Sequence, residues 1–127
     1  PGGITLVFRA ARGLPANLTA NTRKIGIRLP AHPVSAALAA ASEIPVTATS
    51  ANLSGESGSR QLSDISPRLL RSAEVILDAG KLAHGIGSTI LDVTCDPPLL
   101  LREGAVSAAQ LRALVPLTTQ TSASKKE

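Results

Sequence analysis

Ile44-Pro45-Val46-Thr47-Ala48, running directly into Thr49-Ser50-Ala51-Asn52-Leu53-Ser54-Gly55, is the stretch on which the reading of this chain turns. Its first five residues are a short apolar run, which predicts a buried strand. The next seven put Ser50, Asn52 and Ser54 on a turn, and Gly55, Gly58 and the polar residues around them break regular structure for several positions. A polar cluster at the carboxyl end of a strand is where an α/β sheet takes its ligand. Asn offers amide donors and a carbonyl acceptor, and each Ser hydroxyl serves in either role. That set suits phosphate oxygens or a nucleotide base. The same residues also fit an Asx or Ser turn that joins a strand to a helix and binds nothing.

Outward from this stretch, strands and helices alternate. Ile4, Leu6 and Phe8 alternate with Thr5, Val7 and Arg9, which predicts a half-buried strand. Residues 9–22 read as a Gly-, Pro- and Asn-containing loop, and residues 24–29 as a second strand ended by Pro30. Pro33 suits the first turn of a helix over 34–42, whose alanines permit close packing on a sheet. Further on, the pattern predicts a helix over 66–73 and a strand over 74–77 closed by Asp78-Ala79-Gly80. Two more strands, 88–93 and 99–102, are separated by Asp96-Pro97-Pro98. A last helix over 108–115 has Ser107 as its N-cap. The sum is an α/β fold, a twisted mixed sheet with flanking helices, in one domain over residues 1–115. Strands dominate the middle of the chain in this reading. Residues 116–127 are polar and predict a disordered tail or linker.

Composition narrows the chemistry. With one Phe and no Trp, Tyr or Met in 127 residues, the core is aliphatic and no aromatic platform exists for stacking bases. The single Cys95 excludes a disulfide framework and a multi-cysteine zinc site, in keeping with a reduced cytoplasm; a nucleophilic Cys95 is the lesser alternative. No apolar run approaches the roughly 20 residues of a membrane span, and no signal-like segment opens the chain, so a soluble cytoplasmic protein is expected. Arg9, Arg12, Arg23, Lys24 and Arg28 precede the first acid, Glu43. Such a basic stretch steers an anionic partner, ATP or an RNA backbone, or simply solvates a sheet edge.

Four other segments join residues 49–55 in a fixed order. They are Pro1-Gly2-Gly3-Ile4-Thr5-Leu6-Val7, Ile25-Gly26-Ile27-Arg28-Leu29-Pro30 with His32-Pro33 after it, Gly87-Ser88-Thr89-Ile90-Leu91-Asp92, and Leu101-Arg102-Glu103-Gly104-Ala105. In order and spacing the five resemble the YrdC-like family, whose main enzymes are threonylcarbamoyl-AMP synthases. The resemblance extends over residues 1–115 and implies a sheet curled around a deep basic cavity. It implies an L-threonylcarbamoyladenylate synthase, a nucleotidyltransferase that forms threonylcarbamoyl-AMP and pyrophosphate from L-threonine, bicarbonate and ATP. The product would serve tRNA modification through a downstream tRNA threonylcarbamoyl transferase complex. Carried over residue by residue, Ser50, Asn52 and Arg102 would bind the nucleotide, and Arg28, Ser88 and the backbone at Ala48 would bind threonine. Arg102 is the catalytic candidate for the α-phosphate, because a guanidinium is permanently charged and binds two oxygens at once. Its alternative is a surface salt bridge with Glu103, and that of Ser88 is a strand-start residue after Gly87. Mg2+ would arrive with ATP, and no protein-bound metal is expected.

The chain departs from the family pattern in several places. The Pro-Gly segment lies mid-chain in family members, so the resemblance implies an amino-terminal half carrying a Lys-x-Arg pair and part of the threonine pocket. No Lys-x-Arg occurs here. The chain is therefore expected to be the C-terminal portion of the domain, inactive alone, with an unpaired sheet edge and an open cavity. Gly3 stands where Pro is usual, Lys24 where Thr is common, and the serine expected after residues 49–55 is Ser57 or Ser59. His32 reads as a helix-entry residue, His84 as exposed, and Asp78 and Asp92 as structural or turn residues. Two other functions remain open: a module that binds double-stranded RNA without catalysis, and the carbamoyl-transfer domain of hydrogenase maturation.

Overall fold

The computed structural model describes residues 1–53, 58–82 and 85–119, in two compact units: residues 1–31 with 88 onward, and residues 32–87.

The first unit is a five-stranded mixed sheet in the order β2-β1-β3-β4-β5. β1 (Ile4–Arg9) follows the predicted alternation, and β2 (Lys24–Ile27) pairs with it antiparallel, Leu6 opposite Ile27 and Arg9 opposite Lys24. β3 (Thr89–Asp92) lies parallel on the other side of β1, with Leu6 opposite Leu91. β4 (Leu99–Arg102) pairs antiparallel with β3, with a register shift between Ile90 and Leu91. Thr118 and Thr119, expected in the polar tail, form β5 beside β4. The two-residue side-chain period places Ile4 and Leu6 on the face of Thr89 and Leu91, and Thr5 and Val7 on the face of Ile90 and Asp92. The first face is the core: Leu91, Leu100, Ala108 and Leu111 are buried, with Ile4, Leu6, Val93, Val106 and Leu117 packed against them. Each buried Leu contributes roughly 1.5–3 kcal/mol by leaving water.

Ala108 and Leu111 belong to α3 (Ala108–Arg112), which therefore covers that face. Its start is doubly fixed. The Ser107 hydroxyl accepts from the Gln110 N–H, the Gln110 side chain accepts from the Ser107 N–H, and Glu103 Oε1 accepts from the Ala108 N–H at 3.1 Å. The helix stops three residues short of the predicted end. Pro116 disfavours helical geometry at Val115, and Leu114, 80% exposed, has no core to bury in.

The β1–β2 connection is ordered by its own polar groups. The Thr19 hydroxyl, on a buried residue, donates to the Ala16 carbonyl, and the Thr22 hydroxyl donates to the Thr19 carbonyl at 2.6 Å. Ala20, Asn21 and Arg23 adopt φ of 47°, 59° and 57°. Such left-handed conformations cost on the order of 1 kcal/mol or more per residue without glycine.

The second unit holds α1 (Pro33–Ala41), a 3-10 turn (Leu62–Asp64) and α2 (Pro67–Ser72), and no strand among the described residues. His32 is the N-cap of α1 by backbone position, as expected of a helix-entry residue. Three expectations change here. No residue of α1 is buried, so its alanines do not form a close-packed helix face. Residues 44–48 are not a strand: Pro45 lacks the ladder N–H, no described strand pairs with them, and Ile44 and Val46 are 73% and 56% exposed. Residues 74–77 are likewise unpaired, and Val75 and Leu77 are well exposed. The middle of the chain is thus helix and turn rather than strand. The turn after residue 77 does form, with Asp78 Oδ1 accepting from the Gly80 N–H at 2.8 Å and Gly80 at φ 78°.

Candidate anion-binding edge of the sheet

β1 and β3 begin at the same edge of the sheet, and β2 and β4, running the other way, end there. This topology puts Gly2, Arg28, Ser88 and Arg102 at one end of the sheet, in two bonded pairs. Ser88 is the centre of the group. It is 8% exposed; its hydroxyl shares a 2.7 Å hydrogen bond with the Thr5 hydroxyl, and its carbonyl accepts from Arg102 Nη2 at 2.8 Å and Nε at 3.2 Å. Arg28, one residue past β2, donates from Nε to the Gly2 carbonyl at 2.8 Å. Gly2 in turn donates its N–H to the Leu29 carbonyl. Gly3 is required by a close approach: a Cβ there would lie 2.7 Å from the Cβ of Ala105.

Arg28 and Arg102 are both exposed, and each is anchored to a backbone carbonyl rather than to a carboxylate. The Arg102–Glu103 salt bridge, the alternative reading of Arg102, does not form; Glu103 is engaged at the start of α3. Among the described residues the ion pair is Lys24–Asp92, at 2.7 Å. It lies toward the opposite edge, where β1 ends. The Lys24 ammonium, with the Thr94 hydroxyl and N–H, holds the Asp92 carboxyl down at about 2. Asp92 is therefore a structural and turn residue, as read from the sequence, and Lys24 is its partner rather than a cation of the site. Among the described residues the guanidinium groups of Arg28 and Arg102 have no carboxylate partner, and guanidinium is a group that pairs with carboxylate or phosphate oxygens.

Ala48, Ser50 and Asn52 belong to the second unit. Ala48 and Ser50 are exposed; Asn52 is half-buried and donates from Nδ2 to the Leu53 carbonyl at 3.0 Å. The expected position of this cluster at the carboxyl end of a strand is not met, since residues 44–48 are unpaired. Ser59 donates to the Ala51 carbonyl at 3.2 Å, which ties it to the motif; Ser54, Gly55, Ser57 and His84 lie outside the described residues. Asp64 accepts from the Arg60 N–H, which leads in holding its carboxyl below the usual range, and from the Gln61 amide. Ser59, Ser63, Asp64 and Ser66 border a shallow cleft of about 510 Å3 in this unit. Cys95 is exposed, its thiol 3.6 Å from the Asp92 carbonyl. Among the described residues no three His, Cys, Asp or Glu side chains gather, and no helix is long and apolar enough to cross a membrane.

Sequence reasoning missed Thr5 and the Gly2 carbonyl. Thr5 and Ser88 are 83 positions apart, and nothing local marks Thr5 as more than an outward strand residue.

The first unit is thus an α/β protein built on a mixed sheet with two exposed arginines at one end. A family model described as telomere recombination, that of the Sua5, YciO and YrdC proteins, matches residues 1–104, and the chain belongs to this family. It is 31% identical over 115 residues to the threonylcarbamoyl-AMP synthase of Pyrococcus abyssi, covering 91% of this chain and 34% of that protein. It is 34% identical over 116 residues to the Bacillus subtilis enzyme of the same name, again covering 91% and 34%. The crystal structure of P. abyssi Sua5 in complex with L-threonine superposes with a TM-score of 0.81 at 29% identity, over 93% of this chain and 36% of that one. The chain thus spans about a third of the length of these relatives, and the resemblance to the YrdC-like family and its α/β fold holds.

Proposed function

We propose that this chain is the part of an L-threonylcarbamoyladenylate synthase that grips the threonine carboxylate and the α-phosphate of ATP. The observation that carries the reading is the sheet edge itself: Arg28, Ser88 and Arg102, assigned from separate segments, all lie at the strand ends on this side of the sheet, and neither arginine has an ion-pair partner among the described residues. The relatives named for this activity, one of them solved with L-threonine, support it.

In this reading the threonine amine takes up carbon dioxide, or bicarbonate with loss of water, as a carbamate. The carbamate oxygen forms a bond to the α-phosphorus of ATP while the bond to the α,β-bridging oxygen breaks and pyrophosphate leaves. Phosphoryl chemistry of this kind needs position and charge more than covalent help. Arg102 stabilises the negative charge that grows on the α-phosphate. Arg28 and the Ser88 hydroxyl hold the amino-acid carboxylate; the backbone at Ala48, in the second unit, is a threonine contact by the family resemblance alone. Ser50 and Asn52, in the second unit, are nucleotide contacts by the family resemblance alone. Mg2+ is a companion of ATP and is held mainly by its phosphates. The setting would be cytoplasmic tRNA modification, with the adenylate passed to a threonylcarbamoyl transferase complex. Incubating the full-length protein with threonine, bicarbonate and ATP, and seeking the adenylate by mass spectrometry, tests the reading; absence of product with pyrophosphate at background refutes it.

A second reading, double-stranded RNA binding, is favoured by one feature. Arg9, Arg12 and Arg23 are all exposed at the β1–β2 connection, without an ion-pair partner among the described residues. Binding to an RNA duplex that weakens steeply with salt, and is lost on charge reversal of these three, would establish it.

A further inference from the structure

Thr89 is 0% exposed, yet its side chain is polar and faces the apolar core side of β3. Its hydroxyl is fully engaged with the segment that follows Arg102. It donates to the Val106 carbonyl at 2.5 Å and accepts from the Gly104 N–H at 2.9 Å and the Val106 N–H at 3.0 Å. Its own N–H donates to the Gly3 carbonyl at 2.8 Å. One buried hydroxyl therefore fixes both ends of the turn between β4 and α3. That turn also presses Ala105 against Gly3 and carries the Glu103 carboxylate to α3. Arg102 is the last residue of β4 before this turn, and its guanidinium reaches back to the carbonyl of Ser88, the residue next to Thr89.

We propose that Thr89 is the positioning residue of the anion-binding edge: its hydroxyl locks the 103–106 turn so that the Arg102 guanidinium is held on the Ser88 carbonyl, aimed before any ligand arrives. This rests on the reading of Arg102 as the phosphate cation only for its catalytic consequence. The geometric part stands on hydrogen bonds alone. A buried hydroxyl with three partners has no cheap substitute, because an apolar replacement strands two N–H groups and a carbonyl away from water. A mobile guanidinium must then be ordered at the moment of binding, and small misplacements of a catalytic group cost up to about a hundredfold in rate.

The test uses the full-length protein and three forms: wild type, Thr89→Val, which keeps shape and removes the hydroxyl, and Thr89→Ser, which keeps the hydroxyl. The first readout is independent of activity. Hydrogen exchange at the Arg102 Nε–H, followed by NMR, should be slow in wild type and in Thr89→Ser, and should accelerate roughly tenfold or more in Thr89→Val at a temperature where melting curves show it folded. Unchanged protection in folded Thr89→Val overturns the proposal. Should Thr89→Val not fold, loss of Arg102 protection in Thr89→Ser, despite a native melting curve, overturns it as well, and retained protection supports it. The second readout is pyrophosphate release. Thr89→Val should lower kcat by about tenfold to a hundredfold, yet cost little more when Arg102 is already alanine. A full, additive loss in that background overturns the coupling. A wild type that makes no adenylate refutes the proposed function while leaving the exchange experiment to decide the role of Thr89.

Discussion

Replacing Arg102 by alanine should weaken ATP binding by the full-length protein about thirtyfold. The guanidinium already holds the Ser88 carbonyl through Nε and Nη2, so little rotamer entropy remains to be lost when a phosphate arrives. A charge-assisted hydrogen bond is worth about 1.5–3 kcal/mol. Arg102 is exposed, which puts the phosphate contact at the lower part of that range, about 2 kcal/mol, and each 1.4 kcal/mol is about tenfold in affinity. Arg102→Lys should fall between the two, because the charge survives and the planar two-point grip does not. Calorimetric titration with a non-hydrolysable ATP analogue measures the effect, and a melting curve of each variant shows whether loss of the Ser88 contact has loosened the edge. Affinity within twofold of wild type in a folded Arg102→Ala protein would remove Arg102 from the nucleotide site and with it the main argument for the sheet edge.

Arg28→Lys should raise the KM for threonine severalfold in the pyrophosphate assay, since Lys cannot keep both the Gly2 carbonyl and a two-point carboxylate contact; a normal threonine dependence would leave Arg28 a surface charge. The Asp92 carboxyl sits at about 2 against an ordinary 3.8, a depressed value, so its stabilisation is present above pH 3.8 and lost as pH falls from there towards 2. Taken whole, the shift is worth roughly 2 kcal/mol, and because Lys24 is 42% exposed, solvent screening leaves about 1 kcal/mol. In urea unfolding, Asp92→Asn should therefore be less stable than wild type at pH 7 and nearly equal to it near pH 2, and a gap that ignores pH would contradict this account. The 127-residue chain by itself, about a third of its relatives' length, should give no adenylate above background by mass spectrometry, and robust product would mean that this sheet edge suffices. Leu111→Ala, at 4% exposure in the core, should cost about 2–5 kcal/mol in the same urea experiment.

Much of the fold was legible because its signals are local. The period of two over residues 4–9, Pro33 ahead of an alanine-rich run, and Ser107 three residues before Gln110 each act within a few positions. The helix over 108–115 ends three residues early, at Arg112, because the N-cap at Ser107 marks where a helix starts and not where it stops. Residues 44–48 and 74–77 carry strand-like side chains yet form no strand, since strand propensity is realised only when a second backbone supplies the ladder. The candidate residues themselves were legible through the ordered motifs, but what each does was not. Sequence made Arg28, Ser88 and Arg102 candidates. The sheet topology alone decided that they share one edge, because β2 and β4 end where β1 and β3 begin. Likewise Lys24 and Asp92, 68 positions apart, and Thr5 and Ser88, 83 apart, become partners only through strand register. A hydrogen bond needs its atoms within about 3 Å, and for residues this distant along the chain no local pattern fixes that distance; the folded sheet does.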